Sequence, residues 1–364
     1  MRKVICLLLL VACLLTALIS PTSAQTVDSL AVLDSSVAMD FPRQLSFSLS
    51  AESDVNITDI RLHYIIDRIS YAQVTSEVLL EFEPAVMVNT GWDWDMRRTG
   101  GLPPGSNVGY WWTVENVRGA MVETELSWVQ FDDTRYAWQN LTEGKVSLYW
   151  YQGESSFARE IMMTTQEVLA RLAESTGARL EQPVKLYIYS DANDLRGAMI
   201  FPQEWTGGVA YTRYGTIAIG IAPGELAWGK RAIAHELTHL VIHQMTFNPY
   251  NNLPTWLDEG LAMYTEGSLQ PAFAGILAEA IKKDELISVR SLSSPFSAYA
   301  EESALAYAQS YAIADFLINS YGQDKMLELL NTFQEGSGYD QALSQVYGFG
   351  MDGLDGLWRG YILE

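Results

Sequence analysis

One stretch of the chain, from Ala234 to Gln244, has the residue types and the spacing of a metal site. It reads AHELTHLVIHQ and holds three of the four histidines in the sequence. His235 and His239 are four residues apart, so within a helix they lie on one face, separated by about one turn or 6 Å. Imidazole nitrogens bind zinc at about 2.0–2.1 Å, so side chains from successive turns can bind a single ion. The spacing therefore predicts a zinc site.

Glu236 lies between these histidines and completes the motif His-Glu-x-x-His. In that motif the glutamate faces water at the metal and accepts its proton as the general base of a hydrolytic reaction. The apolar segments AIA before the motif and LVI after it predict a buried helix. Unpaired polar groups are costly to bury, so two histidines and a glutamate in such a helix need partners, which a metal supplies.

A hydrolytic zinc site needs a third protein ligand and leaves its fourth position to water. His243 is the nearest candidate, but it follows His235 by eight residues, which is about 12 Å along an unbroken helix. Enzymes that use a third nearby histidine break the helix with a glycine first, and no glycine stands between His239 and His243. We therefore interpret His243 as a packing residue or as a hydrogen-bonding partner of a ligand.

A second motif lies in the segment PTWLDEGLAMYTEG, which begins with Pro254 and contains Trp256, Leu257, Glu259 and Gly260. Here the chain resembles the gluzincin metallopeptidases, in particular the aminopeptidase-N-like superfamily and its secreted bacterial peptidase-MA-like relatives. Those enzymes have a Trp-Leu-x-Glu-Gly motif on the helix after the His-Glu-x-x-His helix. The resemblance implies that Glu259 is the third zinc ligand.

The same resemblance implies further site residues. Glu266, seven residues after Glu259, matches an acidic position that is common in the family. The family also has a tyrosine on a later helix that hydrogen-bonds the oxyanion of the tetrahedral intermediate. The segment AYAQSYAIADFLINSYG places Tyr307 in that role by its register, with Tyr311 as the alternative.

The segment WTGGVAY, at positions 205–211, corresponds to the edge strand along which these peptidases bind their substrate. The resemblance implies that Gly208, Val209 and Ala210 contact the substrate backbone by strand addition. True aminopeptidases have a Gly-x-Met-Glu-Asn motif here, and its glutamate binds the free amine of the substrate. This chain has no acidic residue from Gly208 to Thr212. The sequence therefore favours an endopeptidase over an aminopeptidase.

The first 24 residues have the pattern of an export signal. Arg2 and Lys3 precede an apolar run, and small residues precede a cleavage site after Ala24. The run is shorter than the ~20 residues of a membrane-spanning helix, so we expect cleavage and secretion. The pattern LVAC, which ends at Cys13, leaves lipoprotein anchoring as a minor alternative. Both cysteines, Cys6 and Cys13, lie inside the signal, so the mature chain would have no thiol ligand or nucleophile.

The rest of the chain divides into two predicted domains. From 25 to 140, alternating segments such as QLSFSLSA, ITDIRLHYII and NVGYWWTVEN predict an all-β sandwich of immunoglobulin or fibronectin type. From 145 to 364, helix-periodic segments with a few strands predict an α+β, mostly helical domain, which the resemblance identifies as a gluzincin metallopeptidase domain. His63 alternates with apolar residues in a predicted strand, and we interpret it as structural.

The charge of the chain limits its partners. The formal net charge of −21 at pH 7 disfavours nucleic acids and anionic membrane surfaces. The combined prediction is a secreted metallopeptidase that uses one zinc ion to hydrolyse peptide or protein substrates, without an integral membrane segment in the mature chain. Two alternatives remain: an extracellular binding protein that has lost its activity, and a zinc amide hydrolase with a non-peptide substrate.

Overall fold

The first part of the protein is all-β, as predicted. A computed structural model describes residues 29–203, 206–297 and 299–363, so the predicted export signal with its two cysteines lies outside the described residues. The strands of this part are β1 (Ala31–Asp40), β2 (Gln44–Ile66), β3 (Ser76–Leu79), β4 (Ala85–Asp95), β5 (Ser106–Asn116), β6 (Met121–Glu123) and β7 (Ser127–Phe131).

These strands form one sheet around the long strand β2. Strands β1 and β4 pair with the first half of β2, while β3 and β5 pair with its second half. Register shifts at Glu52, Ile57 and Asp59 mark the change of partner, and such irregularities bend a strand. QLSFSLSA and ITDIRLHYII are therefore two halves of one strand. The predicted immunoglobulin- or fibronectin-type sandwich is not confirmed, because the described strands of this part share a single hydrogen-bonded sheet.

A second sheet supports the predicted site. Its strands are β8 (Gln139–Glu143), β9 (Val146–Trp150), β10 (Val184–Tyr189), β11 (Gly208–Tyr211) and β12 (Thr216–Gly220). They lie in the order β11-β12-β10-β9-β8, with β9, β10 and β12 parallel. Strands β11 and β12 are antiparallel neighbours. Strand β11 lies at the edge of the sheet, and β8 already belongs to this second sheet although it begins just before the predicted domain boundary.

Most of the remaining chain is helical, as predicted for the second part. The helices are α1 (Ser155–Thr176), α2 (Ala192–Gly197), α3 (Leu226–Met245), α4 (Thr255–Glu266), α5 (Pro271–Lys283), α6 (Ala300–Tyr321), α7 (Gln323–Gln334), α8 (Tyr339–Tyr347) and α9 (Met351–Leu363). Within the described part of the chain, none of them combines the length and the apolar character that crossing a membrane requires.

The second sheet is buried on both faces, and the alternation of side chains along β10 shows how. Leu186 and Ile188 point into the core that the sheet shares with the helices. Tyr187 and Tyr189 point into the core of the first sheet, which contains Trp112. Successive side chains of a strand point to opposite faces, so one strand contributes to both cores. The first sheet therefore covers the face of the second sheet that the helices leave free.

An ion pair with one buried partner, Asp133, ties the segment after β7 to the second sheet. The carboxylate of Asp133, which is fully buried, binds the guanidinium of Arg135 at 2.6 and 2.8 Å. The hydroxyl of Tyr189 donates to the same carboxylate at 3.0 Å. The guanidinium also lies 5.9 Å from the ring centre of Phe41 in the turn between β1 and β2. This group joins both sheets through one charge pair.

Asp133→Ala is expected to lower the free energy of unfolding by about 2 kcal/mol, mainly because it leaves the buried Tyr189 hydroxyl without its acceptor. Asp95→Ala is the matched control: Asp95 accepts from Arg97 two residues later, through both its backbone N–H and its guanidinium. That arginine is 68% exposed, so water replaces the lost partner. Urea denaturation of both variants tests this, and equal losses would contradict the assigned role of Asp133.

Candidate metal centre

Helix α3 carries three of the predicted site residues and is held by its apolar face. That face packs in the core beneath the second sheet. Its fully buried side chains include Ile233, Leu237, Leu240 and Val241. His235, Glu236 and His239 are half-buried, and they project from the rest of the helix toward α4 and β11. The amphipathic pattern of α3 therefore decides which way the polar side chains point.

Helix α4 carries the third predicted ligand and crosses close to α6. The helix begins after Pro254 and buries Trp256 and Leu257 in its first turn. A Cβ atom at Gly260 would lie 2.3 Å from the backbone oxygen of Ser310 in α6, so only glycine permits this crossing. The close approach fixes the preceding residue, Glu259, against α3. The Trp-Leu-x-Glu-Gly motif thus has a packing reason for its glycine as well as a chemical reason for its glutamate.

Two imidazole nitrogens and one carboxylate oxygen meet between α3 and α4. His235 Nε2 lies 3.2 Å from His239 Nε2 and 3.4 Å from Glu259 Oε2, and His239 Nε2 lies 3.5 Å from the same oxygen. Ligands at 2.0–2.1 Å from a tetrahedral zinc ion are separated by about 3.3 Å. Glu259 Oε2 is buried and has no hydrogen-bond partner among the described residues. The donor types, their spacing and this unsatisfied oxygen fit a zinc ion.

A carboxylate binds the other ring nitrogen of each histidine. Glu266 Oε1 lies 2.8 Å from His235 Nδ1, and Asp258 Oδ1 lies 2.8 Å from His239 Nδ1. Because a carboxylate accepts, each Nδ1 carries the proton, and each Nε2 presents its lone pair to the shared centre. Glu266, predicted from the family resemblance alone, is therefore in direct contact with a predicted ligand.

His243 does not join the cluster of ligand atoms but binds Asp258. Its Nε2 lies 2.8 Å from Asp258 Oδ2, so the carboxylate of Asp258 links His243 to His239. The prediction that His243 packs beside the site or partners a ligand residue agrees with this position. The sequence interpretation missed Asp258, which fills the variable position of Trp-Leu-x-Glu-Gly. Its position directly before Glu259, near the start of α4, was the available signal.

The centre has a strongly negative environment. Burial lowers the pKa of His235, but the nearby carboxylates of Glu259 and Glu266 outweigh burial and raise this pKa to about 9. Burial raises the pKa of Glu259, but the charge of His239 and the closeness of both imidazoles lower it to about 2. Anionic carboxylates thus favour positive charge on the imidazoles, and a bound metal cation meets the same demand.

Glu236 lies against the free edge of β11. Its carboxylate accepts the backbone N–H of Ala210, and burial raises its pKa. A Cβ atom at Gly208 would lie 2.9 Å from Glu236 Oε1, so glycine lets the strand and the acid approach each other. The position of Glu236 between the ligand cluster and the strand is the one expected of a general base.

Only two of the three residues predicted to contact substrate present their backbone to the free edge. Gly220 donates to the oxygen of Gly207 at 3.0 Å, and backbone groups of alternate residues face alternate sides of a strand. Val209, paired with Ala218, therefore uses its backbone groups toward β12. Gly208 and Ala210 face the free edge, where Ala210 already donates to Glu236. Trp205 of the same motif lies outside the described residues.

Tyr307 and Tyr311 have different neighbours. Tyr307 lines the cleft beside His235 and Glu236, and burial followed by the charges of Glu259 and Glu236 raises its pKa. The ring of Tyr311 lies 6.2 Å from that of Tyr264, outside the lining of the cleft. The structure therefore brings the first tyrosine, and not the alternative, to the predicted catalytic residues.

A cleft of about 640 Å³ opens beside the ligand cluster, within the range of small-molecule and peptide-binding sites. Its lining includes Gly208, His235, Glu236 and Tyr307. The edge strand, the general base and the tyrosine thus share one solvent-accessible space. A carbonyl compound bound in this cleft would be in reach of all three.

Comparison with known proteins agrees with this arrangement. The family model of the Peptidase MA superfamily matches residues 164–364, more than half of the chain and all of the predicted site. No curated protein sequence matches the chain.

Solved structures show only distant likenesses. An M1 zinc metallopeptidase from Deinococcus radiodurans is 12% identical with a TM-score of 0.35, and the match covers 92% of this chain and 94% of that one. Legionella pneumophila aminopeptidase A in complex with aspartic acid is 11% identical with a TM-score of 0.40, over 90% and 50%. OgpA from Akkermansia muciniphila, in complex with an O-glycopeptide, is 12% identical with a TM-score of 0.22, and the match covers 29% of each chain. Likenesses this weak carry no functional argument.

Glu259→Ala is expected to abolish stoichiometric zinc binding, because two imidazoles alone do not complete the site. Glu279→Ala is the control, since Glu279 is half exposed on α5 and pairs only with Lys283 among the described contacts. Elemental analysis after dialysis against limiting zinc measures the metal content. One zinc per chain in the control and in the unmodified protein, with far less in Glu259→Ala, supports the assigned ligand; full occupancy in that variant contradicts it.

Proposed function

Because the chain belongs to the Peptidase MA superfamily, we propose that it is a zinc metallopeptidase that hydrolyses internal peptide bonds. The observation that carries the proposal is the meeting of three ligand atoms of His235, His239 and Glu259 beside the half-buried carboxylate of Glu236 at the edge of an open cleft. Zinc held there would polarise the scissile carbonyl and acidify a water molecule. The remaining chemistry falls to residues of the chain.

Glu236 would act as the general base and then as the acid. Its pKa is raised by burial, which makes the carboxylate a better proton acceptor than an exposed glutamate. The proton taken from water would pass to the nitrogen of the leaving amine, which must be protonated to depart. The hydrogen bond from Ala210 holds the carboxylate at the strand edge, close to where the scissile bond of a bound peptide would lie.

Tyr307 would stabilise the charge that develops on the carbonyl oxygen. Its hydroxyl stays protonated at neutral pH because burial and nearby carboxylates raise its pKa, so it can donate a hydrogen bond to an oxyanion. Its ring is held by an edge-to-face contact with Phe296, with ring centres 5.3 Å apart. That contact fixes the hydroxyl before substrate binds.

The free edge of β11 would bind the peptide backbone. Gly208 offers both its N–H and its carbonyl there, while Ala210 offers its carbonyl, because its N–H is engaged by Glu236. No acidic residue on β11 could bind a free amine, and Glu266 in the cleft already binds His235. This arrangement supports cleavage within a chain over removal of the amino-terminal residue.

Two other functions remain as alternatives with defined tests. An inactive binding protein would bind zinc and peptide without cleavage, and a non-peptide amide hydrolase would cleave small amides but no peptide. The site favours the peptidase, because every position of the proposed mechanism has a competent residue beside an unpaired strand edge. We further propose that the protein is exported by its amino-terminal signal and acts outside the cytoplasm, with lipid attachment at Cys13 as the less favoured route.

Glu236→Gln is expected to retain zinc and to lose about 10²–10⁴-fold in kcat on casein-derived peptides, because the amide cannot accept the proton. Glu160→Gln is the control. Glu160 lies on α1 and pairs with Lys230, which is on the same helix as Glu236, and its side chain is more than a third exposed. Zinc content and peptide cleavage are measured on the same samples. Unreduced cleavage by Glu236→Gln would reject the mechanism.

Tyr307→Phe is expected to lower kcat by about 10²–10³-fold with little change in KM, the usual effect of losing one oxyanion donor. Tyr311→Phe also removes a tyrosine hydroxyl, one turn later on α6. Tyr311 is not among the residues that line the cleft, so this variant should leave kcat nearly unchanged. Steady-state kinetics on one peptide substrate compares the two. If Tyr311→Phe has the larger effect, the assignment of the oxyanion donor is wrong.

A further inference from the structure

The cleft extends well beyond the residues of the proposed mechanism. From Glu236 it continues toward the start of α3, where Trp228 lines it eight residues earlier, a distance of about 12 Å along the helix. Ala232, one turn from each, lies on the same face of the helix. The cleft is therefore long enough to hold a whole side chain next to the reacting bond.

The wall of this extension is largely apolar. Its apolar lining consists of Ala227, Trp228, Ala232, Met263, Phe273 and Ala304. Among the described residues, the charged ones that line the cleft besides His235 and Glu236 are Arg231 and Glu266, which lie 3.6 Å apart. Because this pair balances its own charge, and Glu266 also binds His235, a charged side chain entering the extension would lose its hydration without gaining an opposite charge.

Two consecutive glycines connect the apolar wall with the general base. A Cβ atom at Gly207 would lie 3.0 Å from the indole of Trp228, and one at Gly208 would lie 2.9 Å from the carboxylate of Glu236. Neighbouring residues of an extended chain are only about 3.3 Å apart along the strand. A peptide lying along β11 with its scissile bond at Glu236 would therefore place an adjacent side chain against Trp228.

We propose that this extension is a specificity pocket for a bulky apolar side chain, aromatic or branched aliphatic, on one side of the scissile bond. The inference rests on the proposed peptidase function and names its substrates as peptides that carry such a residue. Trp228 and Phe273 supply large apolar surfaces, and Ala304, on the α6 face that carries Tyr307, lines the same cleft with a small side chain. Burial of a Phe or Leu side chain in such a pocket favours these substrates by about 10- to 100-fold over Ala.

The zinc-loaded full-length protein is first given a mixture of random decapeptides, and mass spectrometry locates the cut sites. Phe, Leu, Tyr or Trp should be enriched at one position next to the cut, and Asp and Lys should be depleted there. Matched fluorogenic peptides with Phe, Ala or Asp at that position then give kcat/KM. A Phe-to-Ala ratio of about 10 or more supports the pocket, and a ratio near one overturns it.

Two variants and one matched control assign the preference to this wall. Trp228→Ala removes the wall and Ala304→Phe fills the space, so each should lower the Phe-to-Ala ratio at least about fivefold. Trp128→Ala, in β7, is the control, because Trp128 and Trp228 are 53% and 45% exposed and only the latter lines the cleft. A purely structural role for Trp228 would lower kcat/KM for both peptides equally, and an unchanged ratio in both variants overturns the assignment.

The outcomes separate this inference from the function on which it rests. If the zinc-loaded protein cleaves no peptide of the mixture and Glu236→Gln does not differ from it, the peptidase function fails, and the pocket fails with it. If peptides are cleaved in a manner that depends on Glu236 but without an apolar preference, the function stands and the specificity pocket alone is rejected.

Discussion

The requirement that two imidazole nitrogens and one carboxylate oxygen converge within 3.5 Å constrains the rest of the structure. None of these groups is stable alone in a half-buried position, since burial penalises the charge of each. The flanking carboxylates of Asp258 and Glu266 offset that penalty for the imidazoles, and a metal cation would satisfy Glu259 Oε2, which has no hydrogen-bond partner among the described residues. The positive and negative charges of the site therefore compensate each other, and this compensation requires that the backbone holds all the ligand residues in place.

Two helix placements produce that convergence. The apolar face of α3 is fixed by the core beneath the second sheet, and α4 is fixed by its glycine crossing with α6. Asp258 and Glu259 then act from adjacent positions near the start of α4: Asp258 contacts Nδ1 of His239, and Glu259 faces Nε2 of the same ring. His243 extends this connection to the end of α3, so the two helices are joined by hydrogen bonds as well as by packing.

Local patterns in the sequence predicted the parts of this site that depend on local geometry. The spacing of His235 and His239 requires only a helix, and the edge strand β11 was predicted from a short segment that resembles the substrate-binding strand of the family. The role of Glu259 came from a resemblance between motifs. Asp258 was missed because its partners lie on another helix and depend on the crossing between them, which no local pattern encodes. The single first sheet was missed for a similar reason, since an alternating pattern does not reveal that β2 changes partners along its length.

Strand β10 contributes side chains to two hydrophobic cores, and this limits where the chain could be truncated. Tyr187 and Tyr189 belong to the core of the first sheet although their strand belongs to the second. Cutting the chain between the sheets would expose these rings, together with Ala218, to water. One apolar face of the second sheet, which also supports α3, would then have nothing packed against it. The amino-terminal sheet is thus part of the packing on which the second sheet depends. A truncated chain that lacks the first sheet would be prone to aggregate through the exposed apolar face of the second sheet.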